Sequence, residues 1–211
     1  MLPYLVQSEF PWRRLAVRLA LYAVGLWLIG QVWLNGSLTA QDQQFKDRGA
    51  KIKAVFVYKI IKYVGWPKGS FAAADSPIVI GVAGKHPITK LLQSIAKGRK
   101  VNNRPLKVVA ADNVDAALRC HILFLSADIN PETMKTIVRA VDGKPIMTIG
   151  ETLDFPGHKG VLGMVKENNK IRLYLSLEKA RAQGLNISSQ LAKIAKVVAL
   201  PPKAKPRGVE E

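Results

Sequence analysis

Cys120-His121-Ile122-Leu123-Phe124-Leu125-Ser126, followed by Ala127-Asp128-Ile129-Asn130-Pro131, is the stretch whose reading decides the fold. Its apolar centre has no polar alternation, which fits a strand buried on both faces, as in a parallel sheet. Asn130 is placed to cap a helix and Pro131 to occupy its first position. The spacing predicts that helix to run to Val141, where Asp142-Gly143 ends it, and a further strand over Pro145–Ile149. Strand, short loop, helix and strand is one parallel crossover unit.

The same alternation extends towards the N-terminus. Ile78–Ala83 reads as a strand ending in a Gly84 turn. Pro87–Lys97 reads as a helix with Ile88, Leu91, Leu92 and Ile95 inward. Asn102-Asn103 reads as a turn, Leu106–Ala110 as a strand and Val114–Leu118 as a short helix. Phe45–Val64 has a helical pattern, with Arg48, Lys51, Lys59 and Lys62 on one face and Ile52, Phe56, Ile60, Tyr63 and Val64 largely on another. Trp66-Pro67 stops it. Towards the C-terminus, Glu151–Lys159 is a loop or broken turn. Val161–Val165 and Ile171–Leu177 flank Lys166-Glu167-Asn168-Asn169-Lys170 as a hairpin, and Ser188 caps a last helix reaching about Ala199. The expected fold class is α/β: a mostly parallel sheet of about four strands with helices on both faces and a C-terminal antiparallel hairpin at one edge.

Domain organisation follows from composition. Arg13, Arg14 and Arg18 precede an apolar run from Leu19 to Gly30, and small residues lead to Ala40. This is the pattern of a secretory signal peptide over residues 1–40, with cleavage after Ala40; an uncleaved inner-membrane anchor is the alternative. Residues 41–200 are expected to form a single domain, and the Lys- and Pro-rich tail 201–211 to be disordered. The periplasm is the expected compartment.

The formal net charge of the 211-residue chain is +17, and loss of the first 40 residues would remove three Arg and one Glu, leaving +15. That charge favours anionic partners such as lipid head groups and acidic protein surfaces; nucleic acid is the least expected of them for an exported protein. Cys120 is the only cysteine, so no internal disulfide forms, and a strand cysteine of this kind is an apolar filler.

Catalytic patterns are lacking. Ile80-Gly81-Val82-Ala83-Gly84-Lys85 has neither the glycine spacing nor the hydroxyl residue of a phosphate loop. His86, His121 and His158 are not at metal-ligand spacing, so no metal or cofactor is expected. No nucleophile elbow occurs, and the carboxylates Asp112, Asp115, Asp128, Asp142 and Asp154 are scattered. The natural ligand crevice of such a sheet lies at the strand carboxyl ends, which here means Gly84, Ser126 and Gly150. Tyr58, Tyr63 and Trp66 suit either core or interface, and the 153–160 loop carries Phe155, an aromatic with a chance of exposure.

Several segments together resemble a known family. Lys53-Ala54-Val55-Phe56-Val57-Tyr58-Lys59-Ile60-Ile61-Lys62-Tyr63-Val64-Gly65-Trp66-Pro67 resembles the opening motif of the YfiR-like exported bacterial proteins. Ile78–Val82, Val101–Leu106, Cys120–Ser126, Pro145–Gly150 and Gly184–Leu191 are similar in order and spacing, so the resemblance covers about residues 50–199. Lys59 stands where Asn is common, Gly65 where a polar or acidic residue is common, and the second cysteine of some members is absent. The resemblance implies an α/β fold, no catalytic residue, and a periplasmic regulator that represses a membrane diguanylate cyclase by binding its periplasmic sensor domain. The expected contacts with that membrane sensor are Trp66 and Phe155 as anchors, with Lys59 and Lys62 as steering charges. The alternatives are a small-molecule-binding module feeding a sensor kinase or transport system, and, for assembly, a homodimer.

Overall fold

The computed structural model describes residues 48–199. The expected signal peptide with its cleavage site, and the expected tail, lie outside the described residues.

Helix α1 covers residues 48–61 and is followed by the two-residue strand β1 (Val64–Gly65). Then come β2 (Ile78–Ala83), α2 (Ile88–Ala96), β3 (Lys100–Val101), β4 (Arg104–Ala110), α3 (Val114–Leu118), β5 (Ile122–Leu125), α4 (Pro131–Val141) and β6 (Met147–Gly150). The last part comprises α5 (Phe155–His158), β7 (Leu162–Glu167), β8 (Lys170–Leu175), α6 (Leu177–Ala182), β9 (Asn186–Ile187), α7 (Ser189–Ile194) and β10 (Lys196–Val197).

The sheet has eight strands in the order β10-β8-β7-β6-β5-β2-β4-β3, wider than the expected four plus hairpin. β4, β2, β5, β6 and β7 run parallel, β3 is antiparallel to β4, and β8 is antiparallel to β7. The expected hairpin is β7–β8, turned by Asn168 and Asn169, both at left-handed φ. It does not close the sheet, because β10 pairs parallel with β8 beyond it. The last helix therefore ends at Ile194 rather than about Ala199. Ala195 turns extended, and β-branched Val197 suits the sheet edge it joins. Asn102 and Asn103 form a second left-handed two-residue turn, joining β3 to β4.

Two apolar cores follow from the alternation of β2. Ile78, Ile80 and Val82 join α1, α2, α6 and α7 on the larger face, while Ala83 joins Leu123, Leu125, α3 and α4 on the other. The inward stripe of α1 is Ala50, Ala54, Val57 and Ile61, with Ile60 beside it, and Val64 of β1 continues it. Ile52, expected inward, is 40% exposed, because it falls opposite that stripe. Asn130 caps α4 as expected, its side chain accepting from Glu132 N–H and Thr133 N–H, and Ser188 caps α7.

Candidate functional site

β4 lies on one side of β2 and β5 on the other, so the chain reverses its direction of travel across the sheet between β2 and β5. The carboxyl ends at such a reversal are where open α/β sheets take ligands. Gly84 and Ser126 are brought together there. Gly84 has φ +93°, and a Cβ on it would lie 3.1 Å from Ser126 Cβ. Its N–H donates to Asp112 Oδ1 at 2.7 Å. Ser126 is fully buried; its N–H donates to Ala83 O, and its Oγ accepts from Asp128 N–H at 3.2 Å.

Gly150 ends β6, and the space a Cβ would need is occupied by the ring of Phe155. Phe155 is 1% exposed, which corrects the expectation of an exposed anchor. Its segment is a broken turn, with Pro156 extended and Gly157 at φ 89°, and this turns the ring into the gap left by Gly150 and Gly160. The aromatic fills a hole created by missing side chains, a complementarity that the loop's own sequence does not display.

Beside this rim stands a polar cluster that sequence reading missed. Lys53 of α1 pairs with Glu151 Oε1, and Ala127 N–H donates to Glu151 Oε2 at 2.6 Å. His86 Nε2 lies 3.5 Å from Glu151 Oε1. His86 Nδ1 accepts from Ile88 N–H at 3.0 Å, so the ring proton sits on Nε2 and faces the carboxylate. The side chains of Glu151, His86 and Lys53 are only 6%, 13% and 16% exposed. Burial pushes the His86 imidazole below its ordinary 6.5; Glu151 opposes this and Lys53 adds to it. A signal was present in the sequence. Ala50, Lys53, Ala54 and Val57 follow the spacing of a buried stripe, so Lys53 is a lysine on the wrong face of α1 and needs a buried partner. Chemically the cluster is closed: both oxygens of Glu151 are engaged, and it ties α1 to the ends of β2, β5 and β6.

Trp66 lies at the opposite end of the sheet. It is half-buried, and its Nε1–H donates to His121 O at 3.3 Å. Phe71 stacks on the His121 ring at 4.3 Å between centroids, and the Arg104 guanidinium covers Phe71 at 3.9 Å. His121 Nδ1 accepts from Val79 N–H at 3.1 Å, leaving Nε2–H for Ser70 O at 3.0 Å. Burial is the main cause holding this imidazole below its ordinary range. Trp66 is thus part of a staple for the 69–77 loop, far from Phe155 on the second face of the sheet.

Lys59 on α1 and Lys62 in the turn directly after it are exposed, together with Arg48, Lys51, Ile52 and Val55 (43% exposed). Lys62 Nζ lies 5.6 Å from the Tyr58 ring centroid. Cys120 is buried, and burial pushes its thiol up to about 11. Among the described residues, no three His, Cys, Asp or Glu side chains are grouped to hold a metal, and no helix is long and apolar enough to cross a membrane.

Fold and site together define an α/β domain whose strand-end rim is filled by its own side chains and whose first helix presents a basic face carrying two aliphatic residues. Residues 50–196 match the YfiR/HmsC-like family, and the chain belongs to it. No curated protein sequence gives a significant match.

Proposed function

We propose that the protein is a periplasmic regulator that holds a membrane-bound diguanylate cyclase, or a related membrane sensor, inactive by stoichiometric binding to its periplasmic domain, with no turnover. Membership of the YfiR/HmsC-like family supports a regulatory role. The observation that carries the surface is the outer face of α1: Ile52 and Val55, at 40% and 43% exposure, framed by Arg48, Lys51, Lys59 and Lys62. Apolar groups supply binding energy while surrounding charges steer encounter and fix orientation. Ile52 and Val55 take the anchoring role that buried Phe155 does not fill, and Lys59 and Lys62 keep the steering role. Export follows from the Arg-flanked apolar run, with a mature chain beginning near Gln41.

The test is capture of membrane proteins by the tagged protein, followed by Ile52→Asp and Lys59→Glu/Lys62→Glu variants shown to be folded. Capture of one integral membrane sensor, its loss in the variants, and a rise in cyclic di-GMP on gene deletion are the expected results. Unchanged cyclic di-GMP together with no membrane protein captured would sink the reading. Binding at the strand-end rim by a small molecule would then be tested by soaking candidate ligands.

A further inference from the structure

β4 is a sheet strand with an open side. Ala111 N–H donates to Val82 O, and in a parallel ladder alternate residues serve the same neighbour, so Lys107 and Val109 bond towards β2. Val108 and Ala110 therefore turn their N–H and C=O groups outward. β3 covers only Arg104 and Pro105, and Val108 and Ala110 have no backbone partner among the described residues. Sheet edges left in this state are templates for another strand.

A groove of about 260 Å³ runs along this edge on the second face of the sheet, between β4 and α3. Its floor is Val79, Val109, Ala110 and Ala116, and its charged walls are Lys107 and Arg119. Both cations are exposed, and neither forms an ion pair among the described residues. A second groove, of about 430 Å³ along α4, has two of its cations, Lys135 and Lys159, paired with Glu132 and Asp154, and its lining includes no sheet strand. The β4 groove thus joins unpaired backbone groups, an apolar floor and uncompensated positive charge.

We infer that the β4 edge is a second recognition site, which binds an extended acidic segment of a partner protein by strand addition. Main-chain hydrogen bonds to Val108 and Ala110 supply affinity, an apolar side chain enters the groove, and flanking carboxylates meet Lys107 and Arg119. The charge also decides against a second copy of this chain. A two-fold pairing of β4 with itself brings two copies of the same positive patch, Lys107 and Arg119, into one interface with no carboxylate to offset them. The site is separate from the α1 face and does not depend on the role assigned to it.

The probe is a short synthetic peptide alternating Glu and Val, capped at both ends, with its Lys-for-Glu counterpart as control. Binding is followed by fluorescence anisotropy, and contact by amide hydrogen exchange. The acidic peptide should bind and slow exchange at Val108 and Ala110, and the Lys counterpart should bind far less. Lys107→Glu/Arg119→Glu should weaken the acidic peptide about tenfold or more, since two favourable charge pairs become repulsive. Lys59→Glu/Lys62→Glu, on the α1 face, should leave its affinity unchanged. Equal binding of both peptides, no protection of Val108 and Ala110, or undiminished affinity in the Lys107→Glu/Arg119→Glu variant would each overturn the inference. So would protection of those amides by self-association of the protein alone.

Discussion

Gly150 and Phe155 are two halves of one packing solution. A Cβ at position 150 collides with the Phe155 ring, so Gly150→Ala should destabilise by about 1–3 kcal/mol through overpacking. Phe155→Ala should cost about 3–5 kcal/mol through the cavity it leaves. In the double variant the new methyl occupies part of that cavity, so the combined loss should be smaller than the sum of the single losses. Denaturant unfolding of the three variants checks this, and strict additivity would show that the residues do not touch. Cys120 offers a second test at this scale. Its thiol is pushed up to about 11 by burial and contacts Ala116 O at 3.1 Å. Thiol reagents should label the native protein at about pH 8 only as fast as it unfolds, and should label it immediately in denaturant.

At the scale of elements, the salt-bridged cluster fixes where α1 sits. Glu151 joins residues from α1, from the loop after β2 and from the loop after β5. Removing it strands Lys53 and orphans Ala127 N–H, so Glu151→Ala should cost about 3 kcal/mol, in the range for breaking a buried pair. Lys53→Met leaves His86 facing Glu151 without the competing cation. His86 should then titrate at higher pH than in the wild type, because the Lys53 charge helps hold it down. An NMR titration of the His86 ring reads this directly, and an unchanged midpoint would place Lys53 outside the cluster. The α1 helix was legible in the sequence, but its inward face was not. Ala50 and Ala54 are small and buried, whereas the larger Ile52 and Val55 are exposed, and Val55 is the same residue type as buried Val57. The first turns of α1 bury Ala50 and Ala54 and the last bury Ile60 and Ile61, so side-chain size alone does not mark the inward face.

At the scale of the whole molecule, His86 and His121 make the fold sensitive to acid. Burial holds both imidazoles below their ordinary 6.5, so below that value the unfolded chain binds more protons than the folded one. Stability is therefore complete above about pH 6.5 and falls as the pH drops through the depressed folded values. Protonation also removes the acceptor that Val79 N–H uses on His121 and the one that Ile88 N–H uses on His86. Unfolding free energies at about pH 7.5 and about pH 5.5 should show the loss, and a flat profile between them would contradict it. A His86→Gln/His121→Gln variant should have the flatter profile of the two proteins.

The sequence by itself determined the alternation of apolar runs and capped helices, and hence an α/β sheet with helices on both faces. Short-range chemistry is sufficient for that: Asn130 and Ser188 cap because their side chains reach N–H groups two or three residues on, and the paired asparagines turn because they tolerate left-handed φ. The family was legible as well, because its motifs are local strings. Only the tertiary structure decided how wide the sheet is, that β10 joins beyond the hairpin, that Phe155 is core, and that Lys53 meets Glu151 from 98 positions away. Each of these depends on which strand lies beside which. That order is set by burial of area over the whole chain, and no pattern within a window of a few residues encodes it.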